Sequence, residues 1–195
     1  MKYILKFAKF KPEFVQKSCI SFMIKVGVVG HRYLTHSQLN FVRQNCLDIL
    51  NKIQNLHGEV IALSAIAEGA DSIFAEVAIS LKIPLHIIRP FKQYSNDFSS
   101  AIQIESYNNL RHLASNETLL HFDFRSEKAY YYAMQWIVKK SEILIAAWDG
   151  KPARGIGGTG NAVKQAILNK KEWIHLDVNN QSTKCNLVKH FNLMR

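Results

Sequence analysis

The sequence predicts an α/β protein with a doubly wound, mostly parallel sheet that carries helices on both faces. Short apolar segments rich in β-branched residues alternate along the chain with longer segments of helical periodicity. The short segments are apolar throughout, which is typical of parallel strands buried on both faces. Several of them run into small or glycine-rich turns, and such sheets bind ligands outside the carboxyl ends of their strands.

The first strand and the first helix are predicted within residues 24–53. The segment "IKVGVV", residues 24–29, is short and β-branched, and Gly30 ends it. Thr35 and Gln38 then form a T-x-x-Q capping box, which predicts where a helix begins. The apolar residues of this helix recur at helical spacing: Leu39, Val42, Cys46, Ile49, Leu50 and Ile53.

Two further strands and one helix are predicted before residue 91. Residues 60–63 and 84–88 are short apolar segments, and Pro90 ends the second of them. Between them we expect Asp71 to cap a helix by accepting a hydrogen bond from its first turn. The apolar face of that helix consists of Ile73, Phe74, Val77, Ala78 and Leu81.

The remaining elements are less evenly spaced. Residues 91–125 are polar and irregular, with a short helix expected at 102–113 and a strand at 119–122. A further helix is predicted from Ser126. The last elements are a strand at 143–148, a helix at 161–169 and a strand at 173–178.

One domain is expected at residues 23–178, because a chain of 195 residues suffices for one α/β core. Residues 1–22 are interpreted as an N-terminal extension, since "MIKVGVVGHR" from Met23 is a natural start for a first strand. Residues 179–195 are a weakly patterned tail. Lysines interrupt the apolar start, and no apolar run is long enough to cross a bilayer, so we expect a cytoplasmic location and no membrane partner.

The cysteines and histidines give no indication of a metal site. Cys19, Cys46 and Cys185 are far apart and form no C-x-x-C pair, as expected for free thiols in a reducing cytosol. The eight histidines show no metal-ligand spacing. We therefore expect no metal and no other cofactor.

The formal net charge of +10 favours an anionic partner, such as a nucleotide or a nucleic acid. The lysines are scattered, and part of the excess lies in the N-terminal extension. A solvated basic surface is therefore an equal alternative.

The first candidate binding segment is "VGVVGHR". Gly30 allows a sharp turn that brings backbone N–H groups to a ligand, and Arg32 suits a bidentate pair with a phosphate. The alternatives are a salt bridge for Arg32 and a packed or capping imidazole for His31. The segment is neither a G-x-G-x-x-G dinucleotide fingerprint nor a P-loop.

The second candidate segment is "LSAIAEGADSIFAE". Ser64 lies at a strand end, and the small residues Gly69 and Ala70 suit a helix that packs closely against a sheet or a ligand. Glu68 is a candidate for binding sugar hydroxyls or for acid–base chemistry. Glu76 is a similar candidate, unless it lies on a solvated face.

The third candidate segment is the glycine-rich "DGKPARGIGGTG". Gly157, Gly158 and Thr159 are suited to an anion-binding nest at the start of a helix, and an empty flexible loop is the alternative. Asp149, at a strand end, is a candidate acceptor for a ribose hydroxyl. Two basic residues add positive charge nearby, Lys151 and Arg154.

With these three segments in order, the chain resembles the SLOG superfamily, named for Smf/DprA and the lonely-guy phosphoribohydrolases. The resemblance covers roughly residues 24–177. "VVGHR" resembles the glycine-x-arginine turn of the superfamily, and "ALSAIAEGADSIFAEVAI" is similar to a DprA segment. "IAAWDGKPARGIGGTGNAV" is similar to the last loop of SLOG proteins associated with nucleotide signalling. The resemblance implies a Rossmann-like sheet, a nucleotide ligand and frequent homo-oligomers.

One catalytic residue of the lonely-guy enzymes has no counterpart in this sequence. In the lonely-guy enzymes the glycine loop leads to a catalytic glutamate, and the matching position here is Ala162 or Lys164. Cleavage of an N-glycosidic bond needs charge stabilisation and usually an acid–base group. Glu68, Asp71 or Asp149 would have to replace the glutamate, so whether the protein is an enzyme stays open.

We expect a sensor or ligand-binding domain that holds a nucleotide or a nucleotide-derived signalling molecule at the strand ends. Phosphate is expected near Arg32 and the glycine loop, and ribose near Asp149 or Glu68. The alternatives are hydrolysis of nucleoside monophosphates and binding of single-stranded nucleic acid, for which the tyrosines at 130–132 offer stacking surfaces. The candidate nucleotide-binding residues are Gly30, His31, Arg32, Ser64, Glu68, Gly69, Asp71, Asp149, Gly157, Gly158 and Thr159.

Overall fold

A computed structural model describes residues 23–153 and 155–186 of the chain. The strands are β1 (Ile24–Gly30), β2 (Val60–Ser64), β3 (Leu85–Arg89), β4 (Asn116–Leu119), β5 (Ile143–Trp148), β6 (Glu172–Asp177) and β7 (Ser182–Cys185). The helices are α1 (His36–His57), α2 (Ala70–Ser80), α3 (Ala101–Leu113), α4 (Glu127–Lys140) and α5 (Thr159–Leu168), with a 3₁₀ turn at Tyr94–Asp97.

Within these described residues, seven strands form one sheet in the order β4-β3-β2-β1-β5-β6-β7. The neighbouring strands from β4 to β6 pair in parallel, and β7 pairs with β6 antiparallel. The chain moves outward from β1 to β4 on one side and then returns to place β5 against the other side of β1. Strand order therefore reverses between β1 and β5, where open α/β sheets form a crevice for ligands.

Helices cover both faces of the sheet. The larger core layer includes buried side chains of α1, α2 and α3, among them Val42, Phe74 and Leu110. The smaller layer includes Ile137 of α4 and Ala166 of α5. The predicted doubly wound, mostly parallel α/β fold is thereby confirmed.

Several predicted boundaries are confirmed, and others are wrong. The capping box of Thr35 and Gln38 does begin α1, and Ser126 does cap α4. Asp71 is not a helix cap, because α2 begins at Ala70 and its N-cap is Gly69. The strand expected at 119–122 is β4, which ends at Leu119, since it pairs with β3 from Asn116 onward.

The segment predicted as a weakly patterned tail contains β7, which extends the sheet beyond β6. Cys46 is buried and Cys185 is exposed, and both are free thiols. The proposed extension at 1–22 with Cys19, Arg154 and the end of the tail from 187 lie outside the described residues. Across the described part of the chain, no helix combines the length and the hydropathy needed to cross a bilayer.

Candidate functional site

The turns that follow β1 and β2 are locked together at the carboxyl edge of the sheet. The N–H of Ala70 donates to the carbonyl oxygen of His31 at 3.1 Å. Gly69 has φ +81°, and a Cβ at this position would lie 2.3 Å from the carbonyl oxygens of both His31 and Arg32. Only glycine fits this contact, so the expected close packing at Gly69 has a direct steric cause.

The turn after β5 contacts the turn after β1 through His31. Nε2 of His31 lies 3.2 Å from both Oδ1 and the backbone N of Asp149. Partial burial would raise the pKa of Asp149, but the hydrogen bond from the Lys151 N–H and the contact with His31 outweigh it and lower this pKa. Asp149 is therefore an ionised acceptor beside an imidazole, and the carboxyl ends of β1 and β5 meet as the topology requires.

Arg32 belongs to a cluster of four side chains that we call the Asp97 cluster: Arg32, Asp97, Arg125 and Tyr130. Nη1 of Arg32 lies 3.0 Å from Oδ2 of Asp97, and Nε of Arg125 lies 3.0 Å from Oδ1. The hydroxyl of Tyr130 donates to the same carboxylate. The Arg32 guanidinium lies 5.2 Å from the centre of the Tyr130 ring, within cation–π range.

A cleft of about 340 Å³ opens beside Arg32, between the turns after β1 and β2 and the helix α3. Its walls combine apolar side chains with a similar number of polar ones, which can fix the orientation of a small molecule. The predicted residues Arg32, Glu68 and Gly69 line it. The other lining residues are Tyr33, Leu34, Leu39, Ile66, Ser72, Ile73, Phe98, Gln103, Ser106, Tyr107 and Leu110.

Glu68 is the acidic side chain among these lining residues. It is only 9% exposed, and its Oε1 accepts a long hydrogen bond of 3.4 Å from the N–H of Ser99. A buried carboxyl group to which the described residues give this one long hydrogen bond gains from a further donor on a ligand. Glu76, the other acidic candidate of this segment, pairs with Arg43 of α1 and does not line the cleft.

Ser64 and Asp71 lie behind the cleft and support the turn. The Ser64 hydroxyl donates to the carbonyl of Asp71 at 3.0 Å and accepts from the N–H of Ile66 at 2.9 Å. Burial raises the pKa of Asp71 to about 7, while the nearby Arg32 charge and a backbone hydrogen bond from Ala67 oppose the rise. Neither residue lines the cleft, so both act on the shape of the turn.

The glycine loop lies apart from the cleft. Gly158 is the N-cap of α5, and the first turn of this helix contains no acidic residue. A Cβ at Gly157 would lie 3.0 Å from the backbone N of Tyr131, so this glycine packs directly on α4. Asn161 donates through Nδ2 to the carbonyls of Gly155 and Ile156 and holds the loop closed.

The structure thus brings the predicted residues together in two places. Gly30, His31, Arg32, Glu68, Gly69 and Asp149 lie around the meeting point of the β1, β2 and β5 turns, and Gly157, Gly158 and Thr159 lie at the start of α5. Tyr130 links the two places, because its ring underlies Arg32 and its backbone contacts the loop.

Two charged residues of the site were missed from the sequence. Asp97 and Arg125 lie in the irregular segment 91–125, and no local pattern pairs either of them with Arg32. The one available signal was the position of Arg125 directly before the helix cap Ser126. Within the described ranges, no group of three or more potential ligands is arranged to hold a metal ion.

No protein-family model matches the sequence, and no curated protein matches it significantly. The structure is similar to the X-ray structure of DNA processing protein A (DprA) from Streptococcus pneumoniae, with a TM-score of 0.58 and 13% identity. That match covers 78% of this chain and 50% of the other, so this chain spans half the length of that protein.

Two other solved structures are similar. DNA processing protein A from Helicobacter pylori, studied for its single-stranded DNA binding mode, matches with a TM-score of 0.56 and 15% identity over 82% of this chain and 67% of that one. The X-ray structure of TM1055 matches with a TM-score of 0.50 and 14% identity over 77% and 72% of the two chains. This protein therefore has the Rossmann-like α/β fold of DNA processing protein A, as the resemblance to the SLOG superfamily implied.

Proposed function

We propose that this protein binds a nucleotide or a nucleotide-derived molecule at the carboxyl ends of β1, β2 and β5. The observation that carries the proposal is the position of Arg32. Arg32 follows β1, and strand order reverses between β1 and β5. The residue lines the cleft, and its side chain is 29% exposed. A partly exposed guanidinium at this edge of an α/β sheet suits a phosphate oxygen.

The cleft supports the rest of such a ligand. Its volume of about 340 Å³ lies in the range of small-molecule sites. Leu34, Leu39 and Phe98 offer an apolar surface for a base, and Glu68 offers an acceptor for ribose hydroxyls or for the N–H groups of a base. We propose that Arg32 contacts the phosphate while Glu68 contacts the nucleoside.

The proposal is binding without hydrolysis. The first turn of α5 lacks an acidic residue, and Asp71 does not line the cleft. Asp149, the third candidate acid, does not line the cleft either. Glu68 is then the acid that remains near a bound ribose. Incubation with nucleoside monophosphates, followed by chromatography, is expected to show no free base, and release of free base would replace this proposal with an enzymatic one.

Two measurements test the binding proposal. The first is mass spectrometry of small molecules released from the purified, denatured protein. The second is a thermal-unfolding panel of nucleotides: a ligand at 100 times its Kd stabilises the fold by about 2.7 kcal/mol, which for a chain of this size is a rise of about 5–10 °C in Tm. The absence of any response at millimolar nucleotide would contradict the proposal.

Arg32→Ala is the informative variant, and Arg111→Ala is its matched control. Arg111 is also a partly exposed arginine bonded to a carboxylate, that of Glu117, but it does not line the cleft. Calorimetric titration is expected to show weaker nucleotide binding for Arg32→Ala and unchanged binding for Arg111→Ala. Equal losses in both variants would show a general charge effect instead of a site at Arg32.

Single-stranded nucleic acid is a second candidate ligand. The net charge of +10 and the fold shared with DNA processing protein A, whose Helicobacter pylori form binds single-stranded DNA, favour it. Of the three consecutive tyrosines, Tyr130 packs against Phe91, whereas Tyr132 is exposed beside Phe122 and is the one suited to stacking on a base. A gel shift with a single-stranded oligonucleotide at low salt tests this candidate, and the absence of a complex would remove it.

A further inference from the structure

Arg32 and Arg125 come from distant parts of the chain and share one carboxylate. Each guanidinium approaches a different oxygen of Asp97, at 3.0 Å in both cases. The two positive groups are therefore held side by side. The Asp97 side chain is only 5% exposed, so the surrounding fold fixes its position and with it the position of both arginines.

Tyr130 contacts all three charged groups of the cluster. Its hydroxyl donates to Oδ2 of Asp97 and accepts from Nε of Arg125 at 3.3 Å. Its ring lies beneath the Arg32 guanidinium. The arrangement is pre-organised, because one buried carboxylate and one tyrosine on α4 restrain both arginine side chains.

The cluster carries more positive than negative charge. Two guanidinium groups face one carboxylate, which leaves one formal positive charge in excess within the cluster. Asp71, near Arg32, does not fully cancel the excess at neutral pH, because burial raises its pKa to about 7. A second arginine adds little stability to such a pair, so stability alone does not account for it.

Arg125 has donors left for a ligand. Its contacts with Asp97 and Tyr130 both use Nε, and the side chain is 71% exposed, so the described residues leave its Nη nitrogens for another partner. It directly precedes Ser126, the N-cap of α4, where the helix dipole adds positive potential. Tyr130, which contacts both Arg125 and Arg32, also packs against Gly157 of the glycine loop.

We propose that Arg125 is a second phosphate-binding residue, which together with Arg32 grips a phosphate group of the ligand, and that Asp97 positions both guanidinium groups. The inference rests on the proposed nucleotide binding at Arg32. It adds a residue from the segment before α4 to a site otherwise built from the turns after β1, β2 and β5. It also assigns Asp97 a positioning role in which the carboxylate itself does not touch the ligand.

The test is calorimetric titration of the full chain with AMP, ADP, GMP, GDP and inorganic pyrophosphate. Arg125→Ala is expected to weaken binding of the nucleotides that the wild type binds by about tenfold or more, as loss of a charge-assisted hydrogen bond does. Arg125→Lys should restore part of the affinity, because it keeps the charge but loses the planar fork. Arg111→Ala removes the same charge outside the cluster and should change nothing.

The outcomes separate this inference from the proposed function. Nucleotide binding that weakens in Arg32→Ala but is unchanged in Arg125→Ala overturns the role of Arg125 and leaves the proposed function standing. A wild type that binds none of the probes overturns the proposed function and this inference with it. Pyrophosphate lacks base and ribose, so a parallel loss with this probe assigns the effect to the phosphate group.

The role of Asp97 is tested by coupling. If Asp97 acts by positioning Arg125, then Arg125→Ala should cost much less affinity in an Asp97→Asn background than in the wild type. If the losses of affinity in Asp97→Asn and Arg125→Ala are fully additive in the double variant, the positioning role of Asp97 is overturned. If Asp97→Asn does not fold, Asp97→Glu, which keeps the charge but moves the carboxylate that contacts Arg125, provides the same cycle.

Discussion

At the scale of single residues, the protonation of Asp71 is linked to folding near neutral pH. Asp71 is 8% exposed at the start of α2, and burial raises its pKa to about 7, against about 4 in an unfolded chain. Between these two values the folded state binds a proton that the unfolded state does not. Stability from this group is therefore greatest below about pH 4 and is lost as pH rises to about 7.

We predict that the free energy of unfolding of Asp71→Asn, relative to that of the wild type, increases as pH rises. The wild type loses stability as pH rises from 5 to about 7, because its folded state keeps a proton on Asp71 that the unfolded state releases, whereas the amide does not titrate. The stability of the variant relative to the wild type should rise by about 1–3 kcal/mol over this range, at about 1.4 kcal/mol per pKa unit. Urea unfolding at a series of pH values measures the difference directly.

Asp177→Asn is the control for this prediction. Hydrogen bonds from the backbone and side chain of Asn180 lower the pKa of Asp177, so its contribution to stability disappears only under acid conditions. The effect of Asp177→Asn should therefore be constant between pH 5 and pH 8. A flat profile for Asp71→Asn would show that Asp71 is ionised throughout and would contradict the prediction.

At the scale of elements, the sequence predicted correctly those helices and strands whose stabilising interactions are local. Thr35 and Gln38 lie within one helical turn, and β5 is an apolar segment, so both elements were predicted correctly. The strands β4 and β7 have four residues each and lie at the sheet edges, where side chains are partly exposed and the apolar pattern is weak. Pairing with β3 and β6 defines them, and such pairing is not local.

The turn between β2 and α2 also depends on a distant contact. Asp71 has the residue type of a helix cap, yet Gly69 occupies the cap position, because the turn passes directly against the backbone of His31 and Arg32. Only a residue without a Cβ fits there. Tertiary contact therefore overrides the capping preference of the local sequence.

We predict that Gly69→Ala destabilises the fold far more than Gly58→Ala. Both glycines have φ near +80°, so alanine strains the backbone by about 1–3 kcal/mol at either position. At Gly58 nothing lies within 4 Å of the added Cβ, whereas at Gly69 two carbonyl oxygens lie 2.3 Å away. Thermal or urea unfolding should show a loss of about 3 kcal/mol or more for Gly69→Ala, and equal losses would contradict the contact with the β1 turn.

At the scale of the whole molecule, the sequence indicated the turns that meet at the candidate site but not the charged residues that the structure adds to it. Residues that follow parallel strands meet at one edge, so His31, Glu68 and Asp149 were predicted from topology alone. The contact between Asp97 and Arg125 depends on how the irregular segment 91–125 folds back over the sheet edge. No spacing or periodicity encodes that path, and only the three-dimensional structure reveals the two arginines on one carboxylate.

The second candidate function makes a prediction about where a nucleic acid lies on the molecule. Binding of a single strand weakens with salt, with a slope of log K against log salt of about −0.7 for each phosphate contacted. If the strand crosses the Asp97 cluster, Arg32→Ala and Arg125→Ala should each reduce the magnitude of the slope by about 0.7, while Arg111→Ala should leave it unchanged. Fluorescence anisotropy with a labelled oligonucleotide at several salt concentrations measures these slopes.

The alternative location is elsewhere in the basic sequence. Residues 1–22 alone contain five lysines and one glutamate. If these lysines hold most of the oligonucleotide, its binding should weaken with salt as steeply in both arginine variants as in the wild type. Unchanged slopes would therefore contradict binding of the oligonucleotide at the carboxyl ends of the β-strands. In that case, a nucleotide that occupies the cleft should not displace the oligonucleotide. Reduced slopes together with displacement would place nucleotide and nucleic acid at the same arginine pair, and the two candidate functions would then share one site.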